Sequence, residues 1–156
     1  MTERPVYEQE QDVQNALQAV QVANKALQAR AVPLPRFHVA DYVMYRGAQP
    51  IWFIEVKCRN VPHWQYSSVM LFERKWSGLR ALATEQKLAV GLWVRWTDDI
   101  YGLCRLDVLA DRPTIHLNGR TDRGDPADVQ PSVNIDLRHF SLYTESGSLI
   151  SGGING

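Results

Sequence analysis

Asp41-Tyr-Val-Met-Tyr-Arg-Gly-Ala-Gln-Pro-Ile-Trp-Phe-Ile-Glu55-Val-Lys57 is the stretch on which the fold turns. Residues 36–46 are rich in aromatic and β-branched side chains, and residues 51–58 repeat that composition, so each predicts a strand. Gly47-Ala-Gln-Pro50 between them predicts a turn, and strands joined so closely pair as a hairpin. Side chains at i and i+2 of a strand share a face, so Glu55 and Lys57 point the same way in an otherwise apolar strand. Burying two such charges without partners is costly, so they need a reason. The hairpin brings Asp41 alongside Glu55, and adjacent carboxylates repel unless a cation lies between them. The alternative is a surface hairpin on which Glu55 and Lys57 merely pair; the flanking Ile51, Trp52, Phe53, Ile54 and Val56 argue against it.

Working outward, residues 6–30 predict a helix, with Val6, Glu10, Val13, Leu17 and Val20 at helical spacing and Pro33 and Pro35 beyond its end. After the hairpin, residues 60–68 form a loop containing Pro62. Residues 69–85 predict a second helix, with Phe72, Trp76, Leu79 and Ala83 on one face. Strands follow over 88–96 and 100–108, with weaker ones near 114–117 and 132–137 and a charged loop over 119–128 between them. The order α-β-β-α-β-β implies an α/β (α+β) fold, a mixed central sheet flanked by helices. Residues 1–144 read as one domain and the Ser/Gly-rich residues 145–156 as a mobile tail.

The chain has 156 residues, the size of one ordinary domain, and an apolar fraction that excludes a disordered chain. No apolar run reaches the ~20 residues that span a bilayer, and the N-terminus lacks the apolar stretch of a signal peptide, so a cytoplasmic protein is expected. Cys58 and Cys104 read as small reduced residues, and no Cys/His spacing suggests zinc. Net charge is zero, but it is unevenly spread. Residues 36–95 hold nine Lys or Arg against four acids, and residues 96–136 hold four Arg against eight acids. A basic middle suits phosphate binding, though it equally suits a solvated surface.

Magnesium is held by few protein carboxylates and keeps waters and the phosphate oxygens of a substrate. A lysine beside it can hold the attacking water or offset charge on a pentavalent phosphate. The spacing Asp-x13-Glu-x-Lys, on a hairpin after one helix and before an amphipathic second, resembles the PD-(D/E)XK nuclease superfamily. Within it the chain looks most like small phage-encoded members and Holliday-junction resolvases, over roughly residues 6–108. One departure is Ala40 in place of proline before Asp41.

The resemblance implies a restriction-endonuclease-like core and an endonuclease that hydrolyses DNA phosphodiester bonds with Mg2+ (or Mn2+). It implies Asp41, Glu55 and the Val56 backbone carbonyl as metal ligands and Lys57 as the catalytic lysine. Resolvase-like members add a glutamate from the first helix; Glu10 shares the stripe of Val6, Val13 and Leu17, whereas Glu8 faces away. The run Tyr66, Leu71 and Lys75-Trp76 resembles phage members in which a helix lysine reaches the site, which makes Lys75 a catalytic candidate. Candidate DNA contacts are Arg59, His63, Tyr66, Arg74 and Arg80, and Trp64 could stack on an unpaired base. Branched or junction DNA would be a fitting substrate, and cutting both its strands would suit a two-fold homodimer. The alternative is a non-catalytic DNA-binding or phage accessory protein with the same fold; an RNA-directed nuclease of that fold is a third reading.

Overall fold

The computed structural model describes residues 10–109, 115–118 and 130–151. Val6, Glu8, the whole charged loop over 119–128 and residues 152–156 lie outside the described residues. In chain order the elements are α1 (Glu10–Leu27), β1 (Arg30–Pro33), β2 (Tyr42–Arg46), β3 (Gln49–Cys58), β4 (Ser68–Phe72) and α2 (Glu73–Gln86). They continue with β5 (Ala89–Arg95), β6 (Tyr101–Arg105), β7 (Ile115–Asn118), β8 (Gln130–Asp136), β9 (Ser141–Tyr143) and β10 (Leu149–Ser151). A seven-stranded sheet runs β1-β2-β3-β5-β6-β9-β10, and a three-stranded sheet runs β4-β8-β7. The expected mixed sheet flanked by helices is present. β3 and β5 pair in parallel, joined through β4 and α2, whereas β2–β3 and β5–β6 are antiparallel.

The expected hairpin forms β2 and β3, turning at Gly47, whose φ of 62° suits a residue without a side chain. Alternation along β3 divides the core. Phe53 packs with Trp76, Leu79 and Leu82 of α2, while Ile54 packs with Ala19, Val22 and Ala23 of α1. Each helix thus covers one face of the sheet. Trp93 of β5 ties the α1 face together by donating its indole N–H to the Ala19 carbonyl at 2.7 Å.

Several segments differ from the sequence-based reading; residues 36–41, expected in the first strand, instead form the loop before β2. The first helix ends at Leu27 rather than near residue 30, because Gln28 turns left-handed at φ 50°. Asn24 then accepts the Ala31 N–H at 3.0 Å, and Arg30–Pro33 adds to the sheet as β1. The second helix starts at Glu73, since Val69 and Leu71 are buried in alternation as a strand that pairs with β8. Finally, residues 145–151 take a defined path where a mobile tail was expected. The Thr144 N–H bonds the Ser148 carbonyl at 2.9 Å, and Leu149 pairs with Tyr143 across the β9–β10 hairpin. Among the described residues no helix is long and apolar enough to cross a membrane.

Candidate active site

Asp41 stands just before β2, where its N–H bonds the Ile54 carbonyl at 3.1 Å and its own carbonyl accepts from Leu34 at 2.9 Å. That backbone clamp aims its carboxylate across the hairpin, and the Val56 N–H donates to Asp41 Oδ2 at 2.8 Å. Glu55 lies beside it on the α2 face of β3. Its side chain is only 13% exposed, and its Oε1 is buried with no hydrogen-bond partner. Buried polar atoms are seldom left unmatched, so an acceptor facing a second carboxylate with no donor between them suits a cation or a shared proton. Burial first, then the charge of Asp41, pushes the Glu55 carboxyl up to about 7. Two crowded carboxylates with one oxygen unmatched have the donor chemistry that a divalent cation fits.

Two lysines share this face. Lys57 follows Glu55 by one strand repeat, and burial, with Arg59 nearby, holds its ammonium below the usual lysine range despite the pull of Glu55. Lys75 reaches in from the first turn of α2. Its ammonium donates to the Val39 carbonyl at 2.8 Å and lies 3.6 Å from Glu55 Oε2. The close approach of α2 to this loop depends on Gly78, where a Cβ would come within 2.8 Å of Val39 Cγ2.

Glu10 is not brought to the pair. It is exposed, and among the described residues no three His, Cys, Asp or Glu side chains gather as a metal cluster. The buried side of α1 is Ala19, Val22, Ala23 and Leu27, whereas Val13 and Leu17 are exposed, so the stripe that favoured Glu10 faces solvent. Carried back one turn at a time, the true stripe passes through Ala16 to Asp12. Asp12, Asn15 and Ala16 do line a cavity of about 640 Å³ together with Asp41 and Glu55. The signal that would have found Asp12 is the run of small residues Ala16, Ala19 and Ala23, which lets the helix sit close to the sheet.

The candidate DNA contacts separate. Arg59 and Tyr66 line a second cavity, of about 510 Å³, with Lys57, Ser68 and Asn134. His63 sits on the same loop, with its Nδ1 2.5 Å from Asp98 Oδ2. Arg74 is exposed next to Lys75. Arg80 is not part of this group: it donates to the Leu106 carbonyl at 2.7 Å, lies 4.9 Å over the Trp76 ring, and borders a different cavity with Lys87 and Arg105. Its guanidinium ties the middle of α2 to the Leu106 carbonyl just beyond β6.

Residues 2–143 match the family model described as "Phage putative PDDEXK endonuclease". The chain belongs to this phage PDDEXK endonuclease family. Among solved structures it is similar to Hjc of Archaeoglobus fulgidus, described as a Holliday junction resolvase from an archaeal hyperthermophile. That likeness has a TM-score of 0.50 at 13% identity and covers 79% of this chain and 87% of that one, so it speaks to the shared fold. No match was found among curated proteins. The expectation of a PD-(D/E)XK nuclease related to phage enzymes, with a resolvase-like fold, is borne out.

Proposed function

We propose that this member of the phage PDDEXK endonuclease family hydrolyses DNA phosphodiester bonds in a divalent-metal-dependent reaction centred on Asp41 and Glu55. The observation that carries the reading is the buried, unpartnered Glu55 Oε1 beside the Asp41 carboxylate. Asp41 and Glu55, with the Val56 backbone carbonyl on the same strand, would hold Mg2+ or Mn2+, which when bound supplies positive charge to polarise water and phosphate. The Val56 N–H fixes Asp41 in place. Lys75, braced on the Val39 carbonyl, favours the ionised form of Glu55 against burial. Lys57 would orient the attacking water and offset charge that grows on the phosphate in the transition state. Asp12 replaces Glu10 as the α1 carboxylate at the cavity wall, and Arg59 supplies cationic charge for the flanking phosphates.

Branched or junction DNA is the proposed substrate, cut by a homodimer in the cytoplasm of the cell, the host's if the gene is phage-borne. A two-fold pair of sites matches the two strands to be cut. The test is calorimetric titration of Mn2+ into wild type and Asp41→Ala. Binding should weaken markedly in the variant, and equal binding would remove the shared site.

A further inference from the structure

Among the described residues three Phe, Tyr or Trp side chains are exposed: Phe37 at 96%, Trp64 at 70% and Tyr66 at 54%. All three lie on the two segments that border the motif hairpin, residues 34–41 leading into β2 and residues 59–67 leaving β3. Exposed aromatic faces cost hydrophobic free energy, and their clustering on segments at one end of the motif hairpin points to a ligand.

The second segment is firmly braced. The Arg59 N–H bonds the Arg95 carbonyl at 2.8 Å, and the Thr97 N–H bonds the Val61 carbonyl at 3.1 Å. The Gln65 N–H closes a turn on the Pro62 carbonyl at 3.2 Å. His63 is pinned between Asp98, at 2.5 Å, and the edge of the Trp96 ring, whose centroid is 6.4 Å away. Trp64 and Tyr66 are therefore presented outward by a fixed scaffold. Tyr66 also borders the cavity that holds Lys57, and the Arg59 guanidinium lies 6.0 Å from its ring centroid.

Cations suited to phosphate thus stand beside aromatic faces suited to bases, the combination that binds unpaired nucleic acid. A base inside a duplex has both faces covered by its neighbours, so only an unpaired base can use such a platform. We infer that Trp64 and Tyr66 stack on unpaired bases next to the scissile phosphate and select strands that are unpaired at the cut. This rests on the nuclease reading above and narrows its proposed branched substrates to those with unpaired bases at the branch.

The test compares a perfect duplex with the same duplex carrying a bubble of mismatched bases, bound in EDTA by wild type and by the double variant W64A/Y66A. Stacking accounts for roughly tenfold or more in affinity per aromatic. The variant should therefore bind the bubble roughly a hundredfold more weakly and lose far less on the perfect duplex, with its Tm unchanged. A second readout is direct: Trp64 is exposed while Trp76, Trp93 and Trp96 are buried, so short oligo-dT should quench a solvent-exposed emission that W64F lacks. An equal loss on both DNAs, or no loss, overturns the inference, as does unquenched Trp64 emission. A platform for a protein partner would give that null result. If wild type and W64A/Y66A both cut the two DNAs alike when Mg2+ is added, only the stacking inference falls. If wild type cuts neither, the nuclease reading falls with it.

Discussion

Replacing Glu55 by glutamine removes a negative charge from a place that holds too much of it. Burial and Asp41 raise the Glu55 carboxyl from 4.5 to about 7. The unfolded chain releases this proton near 4.5, while the native state keeps it until about 7. The contribution of Glu55 to stability is therefore fully present below pH 4.5 and is lost as pH rises from 4.5 through 7. At about 1.4 kcal/mol per tenfold change in proton affinity, the ionised group costs about 3 kcal/mol at mildly alkaline pH without a cation. Because its side chain is only 13% exposed, solvent screens little of this. Glu55→Gln keeps the shape and stays neutral, so it should be more stable than wild type by up to that amount. For a chain of 156 residues the Tm should rise by roughly 6–12 °C in EDTA at alkaline pH, and the gap should shrink as pH falls toward 4.5. Cleavage should be lost in the same variant. Differential scanning calorimetry across pH reads the effect. A variant that melts below wild type at alkaline pH, or at a constant offset across the range, would refute the strained-carboxylate argument.

Arg59→Ala should flatten the log–log salt dependence of DNA affinity by about one, whereas Arg80→Ala should lower Tm and leave that slope alone. Asp12→Asn should reduce cleavage while Glu10→Gln leaves it nearly unchanged; a reversed order would restore the outer face of α1 to the site. Gly78→Ala should push Val39 away and loosen Lys75, lowering the cleavage rate more than DNA affinity, as cleavage and binding assays on one preparation would show.

The hairpin and the face shared by Glu55 and Lys57 were legible because strand alternation is a local rule and the turn at Gly47 is chemically marked. Lys75 was legible only through the resemblance to phage members in which a helix lysine reaches the site. The partner choice for α1 was not: Val13 and Leu17 look like a core stripe, but the sheet accepts the close-packing alanines instead. β1 was hidden because Arg30–Pro33 becomes a strand through its pairing with the outer edge of β2, and β4 because Ser68–Phe72 is claimed by β8, some sixty residues on. Arg80 looked like a DNA contact because sequence shows its charge and not the Leu106 carbonyl that receives it.

The central claim is that Lys57 and a cation held by Asp41 and Glu55 cut DNA together. Plasmid and four-way-junction DNA should be mixed with wild type and with Lys57→Ala in EDTA, and Mg2+ then added. Wild type should cut only after the addition. Lys57→Ala should bind DNA as wild type does and cut roughly 10²–10³-fold more slowly, the usual contribution of a preorganised charge at a transition state. Cutting in EDTA, or full cutting by Lys57→Ala, would contradict the account.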